Sequence, residues 1–334
     1  MSRAVVLARH PKGAVCEADF AVEERPEVVL PAGHFRTRNR VLSLDAGFRQ
    51  WMTAGAGDNY LQGMQIGDPV QSIVLGEVVE SDHAGYPVGT LISARTAWEE
   101  SSVLDGSDLC SPLQVSTEVP LYQYMGILGP TGMTAWIGLY EVGQPKASDT
   151  VVVSAAGGAV GTVVGQLAKA AGCRVIGLTS AQSKAQWLLS EVGYDVVVDR
   201  ETQPDLAAAL AQAAPQGVDV FFDNVGGETL DTVMAHLSEG ARLVLCGAIS
   251  QYEGAVTPLR HSWELITKRA RMEGFMFSDY FERFPAIQAD LEARMSRDEL
   301  RSFDDLYQGI EQTPRAFCDM MHGVSRGKCL VQLD

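Results

Sequence analysis

The chain has 334 residues, 46% of them hydrophobic and 20% charged, and at about 150 residues per domain this length indicates two globular domains. Its 42 acidic and 26 basic residues give a net charge of −16, which argues against nucleic acid or an anionic membrane surface as the main partner. The six cysteines form no CxxC pair and no apolar run reaches the roughly 18 residues of a membrane span, so we expect a cytoplasmic protein without a disulfide framework.

The first part of the chain, to about residue 120, predicts a β-rich domain. Short alternating or β-branched runs are separated there by turns that contain Gly and Pro: Ala4–Ala8, Arg40–Leu44, Ile73–Val79 and Thr90–Ala94. We interpret the paired glutamates Glu99 and Glu100 as part of a solvated face.

After Gly132, strand-like runs alternate with helix-like stretches rich in Ala, Leu and Gln. The strand-like runs are Val151–Ser154, Arg174–Leu178, Asp195–Val198, Val218–Phe222, Arg242–Cys246 and Arg271–Phe277. Six strands with helical crossovers predict an α/β fold with a doubly wound parallel sheet. From about Ser296, the tail predicts a helix (Pro314–His322) and a last strand (Cys329–Leu333) that returns to the first domain.

The first strand of this sheet leads into a glycine-rich turn. The run Ser154-Ala-Ala-Gly-Gly-Ala-Val-Gly161 precedes an apolar helix, Thr162–Ala171, and has the form A-x-G-x-x-G. Gly158 lets the backbone approach a diphosphate, and Gly161 lets helix and strand pack closely. Because open parallel sheets bind ligands beyond the carboxyl ends of their strands, the turn predicts a dinucleotide site.

The residues after the second strand favour NADP over NAD. An NAD site normally has an acidic residue here to bind the ribose 2′-OH, and none precedes Glu191. The hydroxyls of Thr179 and Ser180 and the ammonium of Lys184 suit a 2′-phosphate instead. Arg200, after the third strand, is a second candidate cation. The alternative for both cations is a solvated surface position.

Later strand ends supply further candidates, each with an ordinary structural alternative. Asn224 faces the expected crevice, or is a turn residue. Cys246 fits a small buried filler better than a nucleophile. Tyr252 either donates its hydroxyl to a substrate oxygen or is an ordinary loop residue without a substrate contact. The aromatic run Phe275–Phe277 either flanks a nicotinamide or packs in the core. The six histidines do not pair at metal-binding spacing, so no metal site is expected.

The motifs and their order along the chain resemble those of the zinc-free medium-chain dehydrogenase/reductases. Within that superfamily they resemble the prostaglandin reductase and alkenal double-bond reductase family. The matching runs are Leu7-Ala-Arg-His-Pro-Lys-Gly13, Leu42-Ser-Leu-Asp45 with Arg49, Gly126-Ile-Leu-Gly129 with Gly132-Met-Thr-Ala135, Val142-Gly-Gln-Pro-Lys146, Val151-Val-Val-Ser-Ala-Ala156, Gly158-Ala-Val-Gly161, Phe222-Asp-Asn-Val-Gly-Gly227, Cys246-Gly-Ala-Ile-Ser-Gln-Tyr252 and Lys268–Phe275. The resemblance covers nearly the whole chain.

The resemblance implies a GroES-like domain at 1–122 and 297–334, and a Rossmann domain at 123–296 with strand order 3-2-1-4-5-6. It also implies NADP(H) as cofactor and a homodimer. The family's cofactor contacts carry over to Gly158, Ala159, Val160, Gly161, Lys184, Asn224, Cys246, Gly247, Ala248, Ile249, Ser250, Phe275, Met276 and Phe277. Arg200 and Ser325 stand on the cofactor side, where the family often has a tyrosine and an asparagine.

On the substrate side, the resemblance points to Arg49, Trp51, Tyr252 and Thr267. Thr267 stands where many members have a catalytic tyrosine. Ser43-Leu-Asp45 replaces the cysteine region of zinc-dependent relatives, so metal-free reduction of an enone or alkenal C=C bond is expected. Tyr252 is the candidate catalytic residue, because a hydroxyl can stabilise charge on the enolate oxygen. A quinone reductase, an alcohol-oxidising enzyme and a non-catalytic NADPH-binding protein remain alternatives.

Overall fold

The computed structural model describes residues 1–254 and 257–333. It divides into a β-rich unit, Met1–Gly126 with Asp304–Asp334, and an α/β unit, Ile127–Phe303. The first boundary between the units follows residue 126, whereas the sequence predicted it after residue 122. The stretch between these positions belongs to the β-rich unit, where the Tyr124 hydroxyl accepts from the Ser116 N–H (2.8 Å). The second follows residue 303 instead of 296, because the Gln166 side chain binds both the N–H and the carbonyl of Arg301. Among the residues described, no helix is long and apolar enough to cross a membrane.

The strands in the N-terminal part of the β-rich unit are β1 (Ser2–Leu7), β2 (Phe20–Arg25), β3 (Phe35–Ser43), β4 (Gln71–Ser81), β5 (Leu91–Ala97), β6 (Ser101–Leu104) and β7 (Ser111–Pro112). Short 3-10 helices cover Glu17–Asp19, Ala46–Met52 and Leu121–Met125. Strands β1 and β2 pair antiparallel as a separate two-stranded sheet.

The α/β unit alternates strands and helices. Its strands are β8 (Thr150–Val153), β9 (Arg174–Thr179), β10 (Val196–Asp199), β11 (Val218–Asp223), β12 (Leu237–Leu245) and β13 (Arg271–Gly274). Its α-helices are α1 (Pro130–Trp136), α2 (Ala159–Ala170), α3 (Gln182–Trp187), α4 (Leu206–Ala213), α5 (Gly227–Met234), α6 (Trp263–Thr267) and α7 (Phe284–Ser296). π-helical turns at Ile137–Gly143 and Leu188–Val192 continue α1 and α3, and 3-10 turns cover Ile249–Gln251 and Phe277–Arg283.

The sheet of this unit has the order β10-β9-β8-β11-β12-β13, with every neighbouring pair parallel. This confirms the predicted doubly wound sheet and the 3-2-1-4-5-6 order. Val152 on β8 and Phe221 on β11 are fully buried, as expected for central strands of a sheet covered by helices on both faces. The order reverses between β8 and β11, so the carboxyl ends of these two strands mark the expected ligand crevice.

The C-terminal tail completes the β-rich unit with β14 (Asp304–Gln308), a 3-10 turn (Ile310–Gln312), α8 (Thr313–Met321) and β15 (Lys328–Gln332). Its seven-stranded sheet has the order β14-β15-β3-β4-β5-β7, and β6 pairs with β3. The predicted return of the last strand is confirmed, since β15 pairs antiparallel with β3. α8 brings Phe317 against Trp98 and Phe20, with ring centroids 5.1 and 5.9 Å away.

The interpretation of Glu99 and Glu100 as a solvated face was wrong. Glu99 is partly buried and accepts from the Ser102 hydroxyl (2.7 Å), and burial raises the pKa of its carboxyl. Glu100 accepts from the Arg3 guanidinium (2.9 Å at Nε). Both carboxyl groups therefore form polar contacts within the β-rich unit instead of being fully solvated.

Candidate cofactor site

The glycine-rich turn between β8 and α2 is closely packed. Ala155 has φ +48°, and its carbonyl oxygen accepts from the Gly158 N–H (2.9 Å) at the N-cap of α2. A Cβ atom at Gly161 would lie 2.4 Å from the same oxygen, so only glycine fits without moving the helix. Gly158, Ala159 and Val160 are partly exposed. The first N–H groups of a helix lack partners within it, so this turn offers donors to an anion.

Lys184 lies over the turn. Its side chain is buried (7% exposed), and a Cβ atom at Gly157 would come within 2.9 Å of its Cδ. Thr179 is buried at the end of β9, where its hydroxyl accepts from the Ala181 N–H (3.3 Å), and Ser180 is exposed. The structure thus brings together the lysine and the glycine-rich turn that the sequence assigned to a phosphorylated dinucleotide.

Two charged residues follow β10. Arg200 is exposed, and its guanidinium donates to the Thr229 hydroxyl on α5 (3.1 Å). Glu201 accepts from the Gln182 N–H at the start of α3 (3.0 Å). Sequence reasoning missed Glu201, because it looked for an acidic residue only directly after β9. The adjacency of β10 and β9 in the predicted strand order was the signal that could have found it.

The carboxyl ends of β8 and β11 share a hydrogen-bond network that sequence reasoning also missed. The Ser154 hydroxyl donates to the Asp223 carboxylate (2.7 Å) and accepts from the Asn224 N–H (2.8 Å). Asp223 is fully buried, and its Oδ1 accepts from the N–H groups of Val225 and Gly226. Burial raises the pKa of this carboxyl. Asn224 donates its side-chain amide to the Ser154 carbonyl (2.8 Å), which fixes this predicted cofactor residue at the crevice.

The loop after β12 is tied to the same network. The N–H groups of Cys246 and Gly247 donate to the Asp223 carbonyl, and the Ile249 N–H donates to the Asn224 carbonyl. The Ser250 hydroxyl donates to the Val225 carbonyl (2.7 Å). Burial raises the pKa of the Cys246 thiol to about 12, in keeping with a filler and not a nucleophile.

Tyr252 closes this loop upon itself. Its hydroxyl oxygen accepts from the Ala248 N–H (3.2 Å), and a Cβ atom at Gly247 would lie 3.2 Å from that oxygen. Burial raises the pKa of the phenol, so it stays protonated at neutral pH. Because the oxygen acts as an acceptor toward Ala248, its own proton can be donated elsewhere.

The aromatic run after β13 packs partly as core. The Phe275 ring lies 6.5 Å from that of Phe222, and a Cβ atom at Gly138 would come within 2.7 Å of Phe275. Phe277 stacks on Phe284 with centroids 5.7 Å apart, whereas Met276 is 37% exposed. Thr267 is exposed on α6, and its hydroxyl donates to Glu264 (3.1 Å).

The other predicted site residues belong to the β-rich unit. Arg49 is 1% exposed, and its guanidinium donates to the Thr53 hydroxyl (2.9 Å) and the Gly13 carbonyl (2.7 Å). The Trp51 indole donates to Asp58 (3.2 Å), and Ser325 is buried. Within residues 1–254 and 257–333, no three His, Cys, Asp or Glu side chains are grouped to hold a metal ion.

The residues of the α/β unit fit an NADP molecule. Gly158, Ala159 and Val160 at the start of α2 are partly exposed, and the buried Lys184 lies over the turn that precedes them. Ser154, directly after β8, is joined to Asp223 and Asn224 at the end of β11 in one hydrogen-bond network.

Known families match both parts of the chain. Residues 3–111 match the family model described as the N-terminal domain of oxidoreductase, and residues 159–293 match that described as zinc-binding dehydrogenase. The second description names zinc, although the described residues show no cluster for it.

Individual relatives match over almost the full length. The NADP(+)-dependent 2-alkenal reductase of Nicotiana tabacum is 34% identical, covering 99% of this chain and 97% of the relative. Prostaglandin reductase 1 of Rattus norvegicus is 36% identical, covering 98% and 97%. The crystal structure of CurA from Vibrio vulnificus in complex with NADPH superposes with a TM-score of 0.91 at 34% identity, covering 99% of both chains. With this likeness across both units, the chain belongs to the NADP-dependent double-bond reductase family of the medium-chain dehydrogenase/reductases.

Proposed function

We propose that the protein uses NADPH to reduce the activated C=C bond of an α,β-unsaturated ketone or aldehyde, without a metal ion. The observation that carries the cofactor assignment is the buried Lys184 side chain over the glycine-rich turn. The names of the relatives, an alkenal reductase and a prostaglandin reductase, support the reaction class.

Each part of the α/β site has a proposed role. The first-turn N–H groups of α2 bind the diphosphate, and Lys184 binds the 2′-phosphate. Asn224 and the loop Cys246–Ser250 position the nicotinamide end, because the Asp223 network fixes both. When bound, NADPH supplies the hydride that reaches the β-carbon of the substrate.

Tyr252 is the proposed donor to the substrate oxygen. Conjugate reduction leaves negative charge on the enolate oxygen, and a positioned hydroxyl lowers the energy of that charge. The Tyr252 phenol keeps its proton at neutral pH, and the Ala248 N–H orients its oxygen. Arg49, Trp51 and Thr267 stay predictions as substrate contacts, as does Ser325 as a cofactor contact.

An NADPH-oxidation panel tests the proposal. Purified protein is incubated with NADPH and either an enone or a quinone, and separately with NADP⁺ and an alcohol. We expect oxidation of NADPH with the enone and formation of the saturated ketone. Turnover only with the quinone, or only with the alcohol, would assign a different oxidoreductase on the same scaffold. Tight NADPH binding without any turnover would indicate a binding protein.

We further propose a cytoplasmic homodimer that pairs through β13. This strand ends the six-stranded sheet, and Trp263 and Ile266 on the preceding helix are 65% and 64% exposed. Antiparallel pairing of two copies about Met272 would set Arg271 of each chain opposite Glu273 of the other. Light scattering should give the mass of two chains for the wild-type protein and the mass of one chain for Met272→Pro. A one-chain mass for the wild type as well as for the variant would contradict the dimer.

The cytoplasmic location is supported by the six cysteines, which are free thiols, in keeping with a reducing compartment.

A further inference from the structure

A carboxylate from the end of β10 lies at the start of α3, the segment that carries Lys184. Glu201 Oε2 accepts from the Gln182 N–H (3.0 Å). β10 lies beside β9, with Asp199 opposite Thr179, and the Arg200 N–H donates to the Thr179 carbonyl (3.0 Å). Glu201 therefore reaches the segment that follows β9 from the neighbouring strand.

The turn that carries Glu201 is held firmly. Asp199 is buried; its Oδ1 accepts from the Glu201 N–H (3.1 Å), and its Oδ2 accepts from the Thr202 hydroxyl (3.0 Å). The Gln203 N–H closes the turn on the Asp199 carbonyl (2.8 Å). The backbone of Glu201 is thus fixed, while its side chain stays exposed to solvent.

An acidic side chain at this end of a dinucleotide site affects the two cofactors differently. A carboxylate accepts from the 2′-hydroxyl of NADH, as the acidic residue after the second strand does in NAD-dependent enzymes. Toward NADPH, the same carboxylate repels the dianionic 2′-phosphate that Lys184 attracts. Lys184 and Glu201 therefore act in opposite directions on cofactor choice.

We propose that Glu201 limits the preference of this protein for NADPH over NADH. The inference rests on the proposed function, because it places the adenosine 2′-phosphate at Lys184. Glu201 is then a specificity-determining residue that follows β10, so it cannot be found from the residues directly after β9.

Glu201→Gln tests the inference by direct binding. Glutamine keeps an oxygen to accept from the Gln182 N–H, so only the charge is lost. Titration of nucleotide fluorescence at low salt should show NADPH binding roughly three- to fivefold tighter, the effect of one exposed charge. NADH affinity should not rise, because NADH carries no 2′-phosphate for the carboxylate to repel. In roughly 0.5 M KCl the gain for NADPH should shrink, because salt screens exposed charges.

Glu191→Gln is the matched control. Glu191 is an exposed glutamate in the π-helical turn Leu188–Val192, and its replacement removes the same charge. We expect wild-type affinities for both nucleotides. An equal gain for Glu191→Gln and Glu201→Gln, an equal gain for NADH and NADPH, or no change in Glu201→Gln would each overturn the inference.

The Lys184→Ala variant separates the two proposals. If it loses NADPH affinity selectively while Glu201→Gln binds like wild type, only the role of Glu201 is wrong. If the wild-type protein binds neither nucleotide, the proposed function is wrong, and the inference falls with it.

Discussion

Gly161→Ala tests the packing on which the cofactor turn depends. The added Cβ would lie 2.4 Å from the Ala155 carbonyl oxygen and 2.8 Å from the Ala156 Cα, whereas real Cβ contacts stay beyond 3.0 Å. Relieving the first contact alone moves α2 by at least 3.0 − 2.4 = 0.6 Å. Overpacking of this kind costs about 1–3 kcal/mol, which for a unit of this size lowers the unfolding temperature by roughly 2–12 °C.

The same shift moves the first-turn N–H groups away from the diphosphate. Losing one hydrogen bond to a charged group costs about 1.5–3 kcal/mol, so the Kd for NADPH and for NADH should each rise about 10- to 150-fold. Thermal unfolding and fluorescence titration measure the two effects.

Gly274→Ala serves as the control for stability in the same unit. A Cβ atom there would meet only the Leu245 carbonyl oxygen, at 3.9 Å, so we expect a change within about 0.5 kcal/mol. Wild-type stability and nucleotide affinity in Gly161→Ala would refute the close packing of α2 against the turn.

Four further outcomes are expected. Lys184→Ala should raise the Kd for NADPH by about 10- to 150-fold and leave that for NADH unchanged, because only NADPH carries the 2′-phosphate; equal effects would contradict the assignment. Tyr252→Phe should lower kcat by roughly tenfold to a hundredfold, because one transition-state donor is lost. It should raise the Kd for NADPH at most about tenfold, because one neutral hydrogen bond is lost. A wild-type kcat would mean that Tyr252 only shapes the loop. Iodoacetamide at pH 8 should modify the exposed Cys16 and spare Cys246, because burial raises the pKa of the Cys246 thiol to about 12; peptide masses that show alkylated Cys246 would be the contrary result. Treatment with EDTA or phenanthroline should leave turnover intact, and a loss that zinc restores would show the metal-free mechanism to be wrong.

The architecture of the α/β unit was predictable because its signals are local. Buried strands such as β8 and β11 read as short apolar runs, and the helices between them as stretches rich in Ala and Leu. The turn at Gly158 and Gly161 has its own sequence pattern, and the atoms that a Cβ would meet at either glycine belong to the nearby Ala155 and Ala156.

The remaining parts of the site depend on contacts between residues far apart in the chain. Ser154 meets Asp223 only because β8 pairs with β11, 69 residues later. Glu201 reaches Gln182 only because β10 lies beside β9. A search for an acidic residue directly after the second strand cannot find a carboxylate supplied by the third.

The β-rich unit shows the same limit. β14 is partly exposed and carries two aspartates at its start, so its composition does not indicate a strand; parallel pairing with β15 defines it. Glu99 and Glu100 were wrongly predicted to be solvated, because their partners are not evident from the sequence. Ser102 donates to Glu99, and Arg3, which is distant in the chain, is brought to Glu100 only by the fold.

The destination of the transferred hydride tests the central claim most directly. The protein is given an aryl enone and NADPH that carries deuterium at the transferred C4 position, and the product is analysed by NMR. We predict a saturated ketone with deuterium on the carbon β to the carbonyl. An allylic alcohol with deuterium on the carbinol carbon, or NADPH bound without any deuterium transfer, would contradict the assignment of conjugate C=C reduction.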